Sequence, residues 1–209
     1  MLNGFVPFPP EFAERYRTKG YWQDKSLAQE FNVIYQRFAD RTVLVDGDKS
    51  FTYAELDQVT TNLALNLLDI GLQPLDRVVP MLPNVHEFVL LYFALQKLGA
   101  IPIAALVTHR YAEISQFVNL SGATTCVYPE TSGDFSFSPI IDRIAAENTS
   151  LKIRIVLGTP KAGEHSLSDL IDRPATLPAS RLSDIHIDPT DPCIFQLSGG
   201  TTGIPKLIP

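Results

Sequence analysis

Residues 77–107 read RVVPMLPNVHEFVLLYFALQKLGAIPIAALV. An apolar run, Arg77 to Leu82, is followed by a helical segment that Asn84 and Glu87 open and Gly99 stops, and then by a second apolar run, Ile101 to Val107. A strand, a helix and a strand in this order are the mark of a βαβ unit, because a parallel neighbour is reached only through a crossover. The pattern continues towards the C-terminus. Tyr111 to Ser121 reads as a helix closed by Gly122, Thr124 to Tyr128 as a strand, Ser138 and Pro139 as the opening of a helix through Ala146, and Ile153 to Leu157 as a strand. All of these strands are continuous apolar runs, as expected where helices cover both faces of a sheet. The sequence predicts an α/β fold with a largely parallel sheet flanked by helices.

Towards the N-terminus, Thr52 and Glu55 have the spacing of a capping box. Behind them Leu56, Val59, Leu63, Leu67 and Ile70 share one helical face, which Gly71 ends. Thr42 to Asp46 and Lys49 to Phe51 flank Gly47-Asp48 as a hairpin. Ser26 and Gln29 open an earlier helix bearing Leu27, Phe31, Ile34, Tyr35 and Phe38, and Pro10 to Lys19 reads as a short polar helix. From Gly158 to Pro192 proline, serine, aspartate and glycine accumulate and only Leu167 to Ile171 has helical character, so this stretch reads as a connection. The expected organisation is an α/β subdomain over 1–180 with an N-terminal helical segment. Residues 181–209 then form a linker, a strand and a loop that begin another subdomain. The strand Cys193 to Leu197 is expected to belong to a second sheet and to lack partners within the chain.

The chain has 209 residues, 45% of them hydrophobic, and a formal net charge of -6. An acidic chain without a lysine or arginine cluster is not a nucleic-acid binder. The longest apolar stretch, Phe88 to Leu95, is too short to span a bilayer, and the first ten residues lack a signal-peptide pattern, so a cytoplasmic protein is expected. Cys126 and Cys193 both sit in apolar stretches and read as buried, reduced thiols. His86, His109, His165 and His186 have no ligand-like spacing, and no metal site is expected from them. His86 reads as a solvated helix start and His109 as a loop residue. Arg15, Arg17 and Arg41 read as a solvated face paired with Glu11, Glu14 and Asp40, and Trp22 with Tyr16 and Tyr21 as a packing anchor.

The segment that carries chemistry is Ser198-Gly199-Gly200-Thr201-Thr202-Gly203-Ile204-Pro205-Lys206, just after the apolar run Cys193 to Leu197. Three glycines let the backbone bend tightly and approach an anion, and their amides can form a nest for phosphate oxygens. Ser198, Thr201 and Thr202 add hydroxyls and Lys206 adds a positive charge. On local chemistry a flexible glycine-rich surface loop remains an equal reading. The Walker form needs glycine before the lysine and serine or threonine after it. Here Pro205 precedes Lys206 and Leu207 follows, so that form is excluded.

The string Leu197 to Lys206 resembles the phosphate-loop signature of adenylate-forming enzymes, and the doubled glycine with Leu207-Ile208-Pro209 is similar to their aryl-acid-activating branch. Phe8 to Trp22 resembles the opening of the branch that activates 2,3-dihydroxybenzoate for siderophore assembly. Phe51 to Leu56 and Lys97 to Pro102 resemble two further superfamily segments, in the right order along the whole chain. The resemblance implies a cytoplasmic ATP-dependent ligase that forms an aryl adenylate and passes it to the phosphopantetheine thiol of an aryl carrier protein in nonribosomal peptide synthesis. 2,3-Dihydroxybenzoate is the first expected acid and salicylate the second. ATP and Mg2+ are the implied cofactors, and no nucleic acid or membrane partner is implied. Ser198, Gly199, Gly200, Thr201, Thr202, Gly203 and Lys206 would hold the leaving pyrophosphate, and no catalytic residue is carried over. Family members run to more than twice this length, so the remaining sheet, the C-terminal domain, the acid pocket and the adenylation lysine are expected beyond Pro209. The 209-residue chain alone is expected to be inactive. A coenzyme A ligase of the same superfamily and a non-catalytic docking module are the alternatives.

Overall fold

Two capping boxes set the first helices. In the computed structural model, which describes residues 6–198 and 206–209, Ser26 Oγ accepts the Gln29 N–H at 3.3 Å and Gln29 Oε1 accepts the Ser26 N–H at 2.9 Å. Thr52 and Glu55 exchange the same pair of bonds. Helix α1 spans Pro10–Thr18, α2 Leu27–Arg37 and α3 Tyr53–Asp69, with the antiparallel hairpin β1 (Thr42–Asp46) and β2 (Lys49–Thr52) between α2 and α3.

The alternating part follows as β3 (Arg77–Pro80), α4 (His86–Leu98), β4 (Ile101–Pro102), α5 (Tyr111–Ser121) and β5 (Thr125–Pro129). After the small hairpin β6 (Thr131–Ser132) and β7 (Phe135–Ser136) come α6 (Ser138–Glu147), β8 (Ile153–Leu157), β9 (His165–Ser166), α7 (Leu167–Asp172) and α8 (Ser180–Ser183). The chain closes with β10 (Gln196–Leu197) and β11 (Leu207–Ile208). The main sheet has the order β4-β3-β5-β8-β9 and every pairing in it is parallel. The expected parallel sheet is present, with β9 as a fifth strand that the polar sequence around His165 did not announce.

Successive strand residues point to opposite faces, and each face has its own core. On one side Val78, Val127 and Ile155 pack with Leu63 and Leu67 of α3 and with Leu90, Leu95 and Leu98 of α4. On the other, Val79, Cys126, Tyr128 and Val156 pack with Ile114 and Phe117 of α5 and with Ile141 and Ile144 of α6. Two asparagines of α3 hold the end of α7 against the first core. Asn66 Nδ2 donates to the Leu170 and Arg173 carbonyls at 2.9 Å each, and Asn62 Oδ1 accepts the Ala175 N–H at 2.7 Å.

Three expectations are corrected. The strand from Ile101 to Val107 is only Ile101–Pro102, continued by a single bridge at Ile103, because Ala104 turns towards Phe195. The run Cys193 to Leu197 is not without partners. Phe195 bridges Ile103 in parallel, and Gln196 and Leu197 pair with Ile208 and Leu207. Cys193 lies outside any strand and is exposed, while Cys126 is buried as expected.

Candidate functional site

The chain reaches the glycine-rich segment along the free edge of the sheet. Phe195 N–H donates to the Pro102 carbonyl at 2.9 Å and the Phe195 carbonyl accepts the Ala104 N–H at 3.0 Å. A parallel bridge means that Phe195 runs in the direction of β4, so Ser198 emerges on the carboxyl side of the strands, where ligands of open α/β sheets bind. Phe195 is buried in the second core, and Leu197 and Leu207 pack against it. These apolar side chains anchor both limbs of the β10–β11 pair.

Ser198 and Lys206 close the neck of the loop between those limbs. Ser198 N–H donates to the Lys206 carbonyl at 3.0 Å, and Lys206 N–H donates to Ser198 Oγ at 2.9 Å. The serine oxygen therefore serves as an acceptor here, and its own proton remains as a donor. Lys206 is exposed, with its ammonium on a side chain that starts at the neck. Of the residues expected to hold phosphate, Ser198 and Lys206 are thus brought together. Gly199, Gly200, Thr201, Thr202 and Gly203 lie outside the described residues.

A second polar cluster sits at the start of α4, where no local side chain caps the helix. Asp46 of β1 takes that place. Its Oδ2 accepts the His86 N–H at 2.9 Å and lies 2.8 Å from His86 Nδ1, while Glu87 Oε2 is 3.2 Å from the same nitrogen. Lys49 Nζ lies 3.0 Å from His86 Nε2. An ammonium only donates, so Nε2 is the acceptor and Nδ1 carries the proton that Asp46 receives. His86 is buried and stacks on Phe51 at 5.8 Å. This overturns the expected solvated helix start.

Asp46, His86 and Glu87 are the one group among the described residues whose ligand atoms converge closely enough for a metal ion. Their hydrogen-bonding makes them a joint between hairpin and helix. A cation on Nδ1 would have to displace the shared proton, and Lys49 would then face an Nε2–H. The spacing of the histidines could not show this, since Asp46 and His86 are 40 residues apart in sequence.

The other polar residues have structural surroundings. His109 is in the loop after β4 as expected. Its Nδ1 accepts the Leu106 N–H at 3.0 Å, its ring meets Phe117 edge-on, and burial holds the imidazole below its ordinary range. Arg17 pairs with Asp24 and lies over Trp22, Arg15 lies over Phe12 and Tyr16, and Arg41 over Phe38, so among the described residues Asp24 and aromatic faces stand in place of the expected Glu11, Glu14 and Asp40. Trp22 does gather Phe8 and Tyr16, at 5.2 and 5.7 Å between rings. Beside them, Tyr21, Arg17 and Cys193 line a groove of about 840 Å3.

A profile of the family described as AMP-binding enzyme matches residues 31–209. The chain is 40% identical to triostin synthetase I of Streptomyces triostinicus, 38% to the salicyl-AMP ligase / salicyl-S-ArCP synthetase of Mycobacterium tuberculosis and 36% to the 2,3-dihydroxybenzoate-AMP ligase of Bacillus subtilis. Each alignment takes in 100% of this chain and 37% of the relative. The apo structure of MbtA from Mycobacterium smegmatis superposes with a TM-score of 0.88 at 34% identity, over 99% of this chain and 37% of that one. The chain therefore spans little more than a third of the length of the relatives it matches.

Proposed function

Because the chain belongs to the AMP-binding enzyme family over residues 31–209, we propose that it forms part of an ATP-dependent aryl-acid adenylating enzyme. The aryl carboxylate attacks the α-phosphate of ATP, the bond to the β-phosphate oxygen breaks, and aryl-AMP and pyrophosphate result. The aroyl group then passes from the adenylate to the phosphopantetheine thiol of an aryl carrier protein, and AMP leaves. 2,3-Dihydroxybenzoate is the acid of first choice and salicylate the second, matching the names of the Bacillus subtilis and Mycobacterium tuberculosis relatives. Siderophore assembly in the cytoplasm is the setting that fits these acids.

The observation that carries this reading is the closed neck at the carboxyl edge of the sheet, with Ser198 and Lys206 paired across it. Ser198 O–H, the Lys206 ammonium, the hydroxyls of Thr201 and Thr202 and the amides of Gly199, Gly200 and Gly203 hold the β- and γ-phosphates as they depart. Their work is positioning and charge stabilisation, and none acts as a general base. Magnesium, where bound, neutralises phosphate charge. The neck offers a hydroxyl and an ammonium, and the Asp46–His86–Glu87 joint is internally bonded. The described residues therefore do not fit a magnesium site. Residues 181–209 begin a further subdomain whose remainder supplies the acid pocket.

ATP–pyrophosphate exchange tests the reading, with the 209-residue chain and the product of the natural reading frame assayed against 2,3-dihydroxybenzoate, salicylate, benzoate and a fatty acid. Exchange with a hydroxybenzoate by the natural product, and none by the 209-residue chain alone, is the expected outcome. No exchange with any acid would sink the adenylating reading.

A further inference from the structure

We propose that Gln96 is a positioning residue for the phosphate-binding loop, acting through the backbone of the strand that leads into it. The inference rests on the adenylating reading of residues 198–206. Helix α4 buries Leu90, Leu91, Ala94, Leu95 and Leu98, and among them Gln96 is an amide only 5% exposed. An amide withdrawn from water is tolerated where it is hydrogen-bonded. Its Nε2 donates to the Cys193 carbonyl at 2.8 Å, across 97 residues of chain.

The place of that bond is what gives it a role. Leu182 and Ile185 pack on the α3–α4 face of the sheet, whereas Phe195 and Leu197 pack on the α5–α6 face. Between them the chain passes around the β4 edge, and Cys193 lies at the crossing, outside any ladder. Two residues on, Phe195 is bonded to Pro102 and Ala104. Helix α4 runs into β4 through Gly99 and Ala100 alone. One helix–strand unit thus grips the approach strand at two levels, by a side chain at Cys193 and by backbone at Phe195.

The two grips fix where Ser198 leaves the sheet, three residues beyond Phe195. Gln96 itself touches no phosphate. Misplacing a catalytic constellation by about 1 Å can cost on the order of 100-fold in rate, so the loop depends on how its approach strand is seated. Without the Gln96 donor the Cys193 carbonyl loses this bond, and of the two grips only the one at Phe195 stays.

Gln96→Leu keeps the bulk and removes the donor, and Gln96→Met does the same should the first variant fail to fold. In the product of the natural reading frame, KM for ATP in pyrophosphate exchange rises about tenfold, a partial misplacement on that scale, while KM for the acid is unchanged. In the same protein the Phe195 and Ala104 amides exchange with deuterium about fivefold faster, the worth of one neutral hydrogen bond. The Met81 and Glu130 amides, bonded to the Val127 and Leu157 carbonyls inside the sheet, keep their rates.

An unchanged KM for ATP overturns the proposal, whether or not Phe195 exchange accelerates. Equal acceleration at Met81 and Glu130 also overturns it, since that marks a general loss of stability. A wild-type protein without exchange activity removes the adenylating reading instead, and unaltered Phe195 exchange in the variants would then still remove the grip.

Discussion

Asp46 shows how one carboxylate can serve two elements. Hydrogen bonds from the His86 side chain and backbone hold its carboxyl below the usual carboxylate range. A group with a depressed folded pKa contributes stability that is present above its unfolded value, near pH 4, and lost as pH falls through the folded one. Asp46→Asn should therefore lower the urea midpoint at pH 7, and the gap between variant and wild type should narrow as the pH drops below about 4. Parallel acid curves for the two proteins would show that the carboxylate charge is not what holds the α4 N-terminus. The sequence could not reveal this cap, because its donor and acceptor are brought together only when the hairpin folds over the helix.

Helix ends illustrate what local sequence can and cannot determine. The boxes at Ser26–Gln29 and Thr52–Glu55 were legible because both partners lie within one turn. The stops at Gly99 and Gly122 were legible for a similar reason, as left-handed residues that glycine adopts without penalty; they take φ of 70° and 61°. At Gly99 a side chain would also come within 3.0 Å of Ile187 Cγ1. Gly99→Ala should cost about 1–2 kcal/mol from backbone conformation alone, read as a lower urea midpoint, and a neutral result would mean the α4–β4 turn relaxes freely. Asn84 has capping chemistry and so reads as the start of α4, whereas the helix begins after Val85 and takes its cap from β1. Strand β4 is shorter than its apolar run because Ile103 to Val107 is apolar for a different reason. Ile103 and Ala105 pack in the second core, while Leu106 is exposed.

For the molecule as a whole, the parallel sheet was legible because its central strands are apolar on both faces, which only a helix-covered sheet demands. The candidate site was legible in composition and spacing but not in closure. Nothing in Leu207-Ile208 announces a strand until Ser198 and Lys206 meet. The two cysteines report on the molecular packing directly. Cys126 lies fully within the second core, where burial pushes its thiol up to about 12, and Cys193 is exposed at the crossing. A disulfide-exchange reagent at mildly alkaline pH should modify one thiol per native chain and the second only in denaturant. Equal rates for both would show that the core around β5 opens readily.

The edge made by β4 and Phe195 has a further consequence for the behaviour of many copies in solution. The Ile101 N–H donates to the Asp76 carbonyl just before β3 and the Ile103 N–H to that of Val78 within it, Pro102 has none to offer, and Ala104 donates to Phe195. Among the described residues, an extended strand from another molecule would meet no row of free donors along β4. The same few bonds that seat the loop therefore also deny a template for intermolecular β-stacking, and keep this side of the sheet from recruiting its neighbours.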